Sequence, residues 1–218
     1  YLELLADGDA GGLSAPQSDA VGVAHRNALR LRRMVGDLLT VAQARADGLA
    51  LVPHEEDVAA LVRHAVAGAT PAARARGIAL HAHSPAAPVP AEVDGQRIGQ
   101  VLDNLLGNAI AYCAAGDRVD VDIDRAGGDV VGSVTDTGPG IPPDQREEVF
   151  RPFFRLDEAR NVDGGGTGLG LAIAQELARA HGGAVELVES VGGRTVFSVT
   201  IPDQPVRLEQ ARSLRRPA

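Results

Sequence analysis

The run Gly164-Gly165-Gly166-Thr167-Gly168-Leu169-Gly170-Leu171-Ala172-Ile173 limits the fold of this chain more than any other stretch. Glycines at this density are poor material for the interior of a helix, yet the run passes without a break into an apolar-periodic segment ending near His181. A loop-to-helix junction fits both facts. There the backbone can turn its N–H groups toward one point, and the new helix adds its own unpaired N–H groups and the positive end of its dipole. The junction reads as an anion site, phosphate above all. Flexible linkers share its composition, so the motifs elsewhere in the chain decide.

With 218 residues and 44% apolar content, the chain can bury one good core and an accessory element, which predicts one domain plus a piece of another. The net charge is −8 and every basic residue is an Arg, so there is no general basic field and a nucleic-acid partner is not expected. The single cysteine, Cys113, excludes an intramolecular disulfide and a multi-cysteine zinc site, and it fits a reducing, cytoplasmic compartment. No apolar run approaches the roughly 20 residues of a membrane span, and no signal peptide is visible. The chain begins at Tyr1 and is expected to be cut from something longer, with any membrane attachment lying upstream.

Tyr1 to Leu5 reads as the end of a helix, broken by Asp7-Gly8-Asp9-Ala10-Gly11-Gly12. The next helix, about Gln17 to Ala46, repeats apolar residues at Ala24, Ala28, Leu31, Val35, Leu38 and Ala42. Steps of four and three alternate, a heptad-type seam suited to a helical hairpin or a dimeric bundle, with Arg26, Arg30, Arg32 and Arg33 solvated outside. An amphipathic helix packed on its own domain gives a similar pattern. Because the first helix is too short to pair fully, the hairpin reads as truncated. Glu55 to Arg76 reads as a helix with Val58, Leu61, Val62 and Val66 inward and Gly77 at its end, and Ile78 to His83 as a short strand. Pro85-Ala86-Ala87-Pro88-Val89-Pro90 returns the chain, and Asp94 caps a helix running to about Cys113 with Ile98, Val101, Leu102, Leu105 and Ala109 as its buried stripe. Asn104 and Asn108 sit four apart on one face beside that stripe. Carboxamides there need partners, whether a ligand, a metal or a structural bond.

Arg118 to Asp124 alternates Val119, Val121 and Ile123 with Asp120, Asp122 and Asp124, a strand wet on one face. In the strand Val130 to Asp136 the period of two places Asp136 on the face of Val130 and Val134. A carboxylate aimed toward the core side needs a donor, unless it only caps its own turn. Gly138-Pro139-Gly140-Ile141 then opens a tight loop. Phe150-Arg151-Pro152-Phe153-Phe154-Arg155 gathers three of the four phenylalanines. Leu156 to Asp163, polar and without period, suits a mobile lid. The helix from Gly168 to His181 stops at Gly182-Gly183, and the strands Ala184 to Glu189 and Thr195 to Ile201 follow, joined by Ser190-Val191-Gly192-Gly193. His54, His64, His81, His83 and His181 have no ligand spacing and read as structural or solvent-facing.

Taken in order, Asn104-Leu105-Leu106-Gly107-Asn108-Ala109, Asp136-Thr137-Gly138-Pro139-Gly140-Ile141, the Phe150 to Arg155 run and Gly166-Thr167-Gly168-Leu169-Gly170-Leu171 resemble the N, first glycine, F and second glycine boxes of bacterial sensor histidine kinases. The resemblance implies three parts: residues 1–50 as a truncated dimerisation and histidine-phosphotransfer hairpin, 55–202 as the catalytic ATP-binding domain, and 203–218 as a disordered tail. The fold it implies is α/β, a two-layer sandwich of a mixed sheet covered on one face by about three helices. Gyrase, heat-shock chaperone and mismatch-repair ATPases share that fold.

Residue by residue, the resemblance assigns Asp136 to the exocyclic amine of adenine, with Gly138 and Gly140 bringing the backbone to the base, Ile141 among the nucleotide-binding residues and Tyr112 bordering the nucleotide. Asn108 is expected to hold Mg²⁺ through its carboxamide oxygen. Gly166, Thr167, Gly168 and Gly170 are expected around the phosphates of ATP, with Leu169 and Leu171 anchoring the helix and Arg155 reaching the γ-phosphate. Asn104 stands where hydrolytic relatives carry a glutamate that activates water. A carboxamide takes no proton, which favours phosphoryl transfer to an imidazole, so Asn104, Asn108 and Arg155 form the catalytic set.

Two departures stand out. Ala111 occupies a position where the family usually has Lys or Arg. The family's phosphoacceptor motif, a His followed by an acidic residue and then Arg-Thr-Pro or similar, is not in this sequence and is expected just upstream, while His25 lies where relatives commonly carry an exposed acidic residue. The implied activity is an ATP-dependent protein-histidine kinase, the implied partners are a response-regulator receiver domain and a second copy bound through the hairpin, and the implied location is the cytoplasmic portion of a membrane-anchored sensor. The alternative is a regulatory or dimerisation module that binds nucleotide without transferring phosphate; a hydrolytic ATPase is disfavoured by Asn104.

Overall fold

The computed structural model describes residues 1, 4–5, 11–46, 49–156, 167–191 and 193–202. The lid over 157–165, Gly166, most of the first short helix and the tail after 202 lie outside the described residues. Helix α1 spans Ala15–Ala46, β1 His54–Asp57, α2 Val58–Ala75, β2 Ala79–His83, β3 Pro90–Val93, α3 Gly95–Tyr112, β4 Arg118–Ala126, β5 Asp129–Asp136, α4 Gly170–Ala180, β6 Ala184–Val191 and β7 Arg194–Ile201. Two 3₁₀ turns, Pro143–Gln145 and Glu148–Phe150, lie between β5 and α4. Among the described residues no helix is long and apolar enough to cross a membrane.

The main sheet has the order β2-β4-β5-β7-β6, with β2 and β4 parallel and the other pairs antiparallel. A parallel pair needs a crossover, and here it contains β3 and α3, which lays α3 across the sheet. Helices α2, α3 and α4 cover one face. Their apolar stripes meet the inward residues of β4, β5 and β7 in one core that contains Val62, Val101, Leu105, Val119, Val134, Ile173, Leu177 and Phe197. The sandwich expected from the sequence is therefore present, and the alternation in β4 holds: Val119, Val121 and Ile123 are buried.

One expectation is corrected. Glu55 to Asp57 are not the first turn of a helix but part of β1, paired antiparallel with β3 in a separate two-stranded sheet. Asp57 is the reason: its Oδ1 accepts from Ala59 N at 3.1 Å and from Val89 N at 2.9 Å, so it caps α2 and ties the β3 approach to the same point. Those N–H groups hold its carboxyl below the ordinary range. Asp94 caps α3 as expected, accepting from Arg97 N at 3.1 Å. Helix α1 packs against α4 through a face that buries Thr40 and Val41. Its heptad residues Ala24, Ala28, Leu31, Val35, Leu38 and Ala42 all lie on the exposed side.

Candidate functional site

The site is built where the ends of β5, β6 and β7 meet the C-terminal end of α3. The strand register places Asp136 opposite Thr195, and Thr195 opposite Ser190, so the three form one polar row across the sheet. All three are buried. Asp136 Oδ1 accepts from Gly138 N at 2.9 Å. Burial pushes its carboxyl above the ordinary value of 3.8, against the Gly138 N–H and with the Asp117 charge, while the Thr195 hydroxyl works to lower it. An acceptor-only group held in this state is suited to a ligand that brings a donor. Cys113 lies beside it at the end of α3, and burial, with the Asp136 and Asp117 charges, pushes its thiol up to about 11. It is an inert wall.

The glycines are needed for space. A Cβ at Gly138 would stand 2.9 Å from Asp136 Oδ1, and one at Gly168 would stand 2.8 Å from the Phe153 carbonyl carbon and 2.8 Å from the Phe154 oxygen. Gly168 also has a φ of +70° and accepts from Phe153 N at 2.8 Å, so the aromatic run and the glycine junction are stitched together. Phe150 packs edge-on against Phe197 at 6.0 Å, whereas Phe153 is exposed with a φ of 67°. Leu169 is buried and Leu171 packs against the core, which fixes the start of α4. Thr167 Oγ1 accepts from Leu169 N at 3.2 Å, leaving the threonine as part of the junction's own turn.

Asn104 meets that junction from α3. A Cβ at Gly170 would come 3.2 Å from Asn104 Oδ1, and Asn104 Nδ2 is buried without a hydrogen-bond partner. An unpaired amide donor beside a helix N-terminus is complementary to an anionic oxygen. Asn108 lies one turn further along the same face, half-buried. Tyr112 ends α3 exposed, its carbonyl 3.7 Å from the Cβ position of Gly138. Arg155 is exposed two residues beyond the Phe153–Gly168 junction. Ala111 lies on the last turn of α3, where Arg76 Nη2 donates to its carbonyl at 3.2 Å and to that of Cys113 at 3.1 Å.

Ile141 closes the loop that follows β5. Its side chain is buried in the core, and its N–H donates to Ser190 Oγ at 2.6 Å. Sequence reasoning missed Thr195, Ser190 and Arg146, the residues that support Asp136 and its loop. His181 is structural as expected: its Nδ1 donates to the Leu177 carbonyl at 2.8 Å, and its Nε2 accepts from Asp94 N at 3.2 Å.

Residues 93–205 match the family of histidine kinase-, DNA gyrase B-, and HSP90-like ATPases. The chain is 35% identical over 178 residues to the sensor-like histidine kinase SenX3 of Mycolicibacterium smegmatis, covering 81% of this chain and 46% of that protein. It is 30% identical over 204 residues to the sensor protein SrrB of Staphylococcus aureus, covering 93% of this chain and 34% of that protein. The chain thus spans less than half the length of these relatives. Full-length ShkA, solved in complex with AMPPNP, superposes with a TM-score of 0.78 at 30% identity over 92% of this chain and 42% of that one.

Proposed function

Because the chain belongs to the histidine kinase-, DNA gyrase B-, and HSP90-like ATPase family, we propose that it is the ATP-binding catalytic core of a sensor histidine kinase, passing the γ-phosphoryl group of ATP to a histidine for relay to a response-regulator aspartate. The observation that carries this reading is the meeting of Asn104 with the start of α4: its Oδ1 lies against Gly170, and its buried Nδ2 has no hydrogen-bond partner. A phosphate oxygen at the helix N-terminus would supply the acceptor that this amide lacks. At the other end, Asp136 takes the adenine amine. The ShkA complex supports a nucleotide here, since AMPPNP is an ATP analogue.

Asn108 would hold Mg²⁺ by its carboxamide oxygen. Phosphate oxygens of the bound nucleotide would complete the shell, as a hard cation prefers. When bound, the ion offsets charge on the phosphates. Arg155 is exposed and free to reach the γ-phosphate, while Gly168 lets the junction pack on the Phe153–Phe154 backbone and Gly170 admits Asn104 to the start of α4. Asn104 orients and takes no proton; a neutral imidazole needs none removed to attack, so the site is built for transfer to histidine rather than for hydrolysis.

In this reading residues 1–50 are the second half of a dimerisation hairpin, 55–202 are the catalytic domain, and the intact protein is a homodimer through α1 whose partner is a receiver domain. The working location in this reading is the cytoplasmic side of a membrane-anchored sensor. Ala111 favours a second reading, nucleotide binding without transfer, because it removes a phosphate-facing charge. Calorimetry with Mg-ADP and Mg-ATP tests the shared part. Affinity for neither nucleotide would end both readings.

A further inference from the structure

The loop Gly138–Ile141 follows β5 but is seated on β6. Both polar groups of Ile141 are taken up there: its N–H donates to Ser190 Oγ at 2.6 Å, and its carbonyl accepts from Arg146 Nε at 3.3 Å. Arg146 Nη2 donates in turn to the Ser190 carbonyl, which closes a ring between the loop, the first 3₁₀ turn and the strand. Ser190 is 3% exposed. Gly140, with a φ of +80°, stands over the same hydroxyl, its Cβ position 3.4 Å from Ser190 Oγ. On the far side the β6–β7 turn supports the loop: the Cβ position of Gly193 is 3.8 Å from the Gly138 carbonyl oxygen. Ser190 is also the last member of the row that starts at Asp136, so one strand end fixes both the loop and the line of the carboxylate.

Resting on the reading that Asp136 takes the adenine amine, we propose that Ser190 and Arg146 are positioning residues that set the preference for adenine over guanine. Adenine presents an amine to Asp136 where guanine presents a carbonyl oxygen, so discrimination requires the ring edge to be held against the carboxylate. The wall that holds it is the Gly138–Ile141 loop. Two glycines leave this loop little stiffness of its own, and its place is set by the hydroxyl of Ser190 and the guanidinium of Arg146. Without them a base can tilt away from Asp136. The reward for adenine and the penalty for guanine then shrink together, although neither residue touches the base.

The test measures ADP and GDP dissociation constants by calorimetry for the full chain, Ser190→Ala, Arg146→Ala and Arg146→Lys, with a thermal melt of each. Each alanine variant is expected to lower the ADP-to-GDP affinity ratio by about tenfold, in line with the loss of one or two hydrogen bonds. Arg146→Lys is expected to fall between, since one donor remains. Arg146 is half-buried, so its variants test the idea even where Ser190→Ala fails to fold. Folded variants with lowered melting points and an unchanged ratio would reduce the clamp to a structural role and overturn the inference. If the unaltered chain binds neither nucleotide, the nucleotide reading itself fails and takes this inference with it; ADP binding with an unaltered ratio fails the inference alone.

Discussion

Asp136→Asn separates the binding role of this residue from its cost to the fold. The carboxylate has two oxygens, of which Oδ1 is held by Gly138 N at 2.9 Å. An amide has one acceptor. If that oxygen stays on Gly138, the new amine faces the adenine amine, donor against donor; if it turns to the base, the buried Gly138 N–H is orphaned. Loss of a hydrogen bond to a charged acceptor costs about 1.5–3 kcal/mol, which predicts an ADP affinity about 10- to 150-fold weaker. Stability should move the other way. Asp136 is raised above its ordinary 3.8 by burial, so the cost of its charge is absent below that value and complete above the raised one. At neutral pH the variant should melt at the same temperature as the parent or higher. Bound adenine favours the charged form, so ADP affinity of the parent should fall as pH is lowered through the raised value, with proton release on binding, and the variant should show neither effect. Calorimetry in two buffers and a melt at pH 7 make the comparison. ADP affinity in Asp136→Asn within threefold of the parent would refute the reasoning.

Gly168→Ala should destabilise the chain by about 1–3 kcal/mol, because it forces a side chain into the left-handed region and onto Phe153 and Phe154; a melt unchanged within error would mean that the junction relaxes freely. Leu31→Asp with Val35→Asp, at positions 60% and 57% exposed, should convert a concentration-dependent dimer into a monomer in sedimentation while leaving ADP binding intact. A parent chain that is monomeric at all concentrations would remove the seam as a dimer face. Ala111→Lys should tighten ATP more than adenosine, since only the triphosphate meets the new charge; equal effects on both ligands would show that position 111 does not face the phosphates.

The parts of the site that were legible are those whose chemistry is fixed by local spacing. A step of four places Asn104 and Asn108 on one helix face, two-residue alternation turns Asp136 inward, and glycine density marks the start of α4. Thr195 and Ser190 were not legible as partners of Asp136, because they reach it through strand register across more than fifty residues and no local period carries that information. Arg146 stands among Asp144, Glu147 and Glu148 in a loop with no period that sets it apart. The small sheet of β1 and β3 is hidden for a different reason: Glu55-Glu56-Asp57 suits a first helical turn, and the bond from Val89 N to Asp57 comes from a segment about thirty residues away.

The central claim, transfer of phosphate to histidine, is tested most directly by incubating this chain with γ-labelled ATP, Mg²⁺ and a sensor-kinase hairpin fragment that carries an acceptor histidine. Catalysis by positioning should survive in trans, though slowly. The expected result is acid-labile label on the fragment, lost with Asn108→Ala and reduced with Arg155→Ala, and none on this chain alone. Measured ATP binding with no label on either polypeptide would contradict the claim and leave a module that binds nucleotide without transferring it.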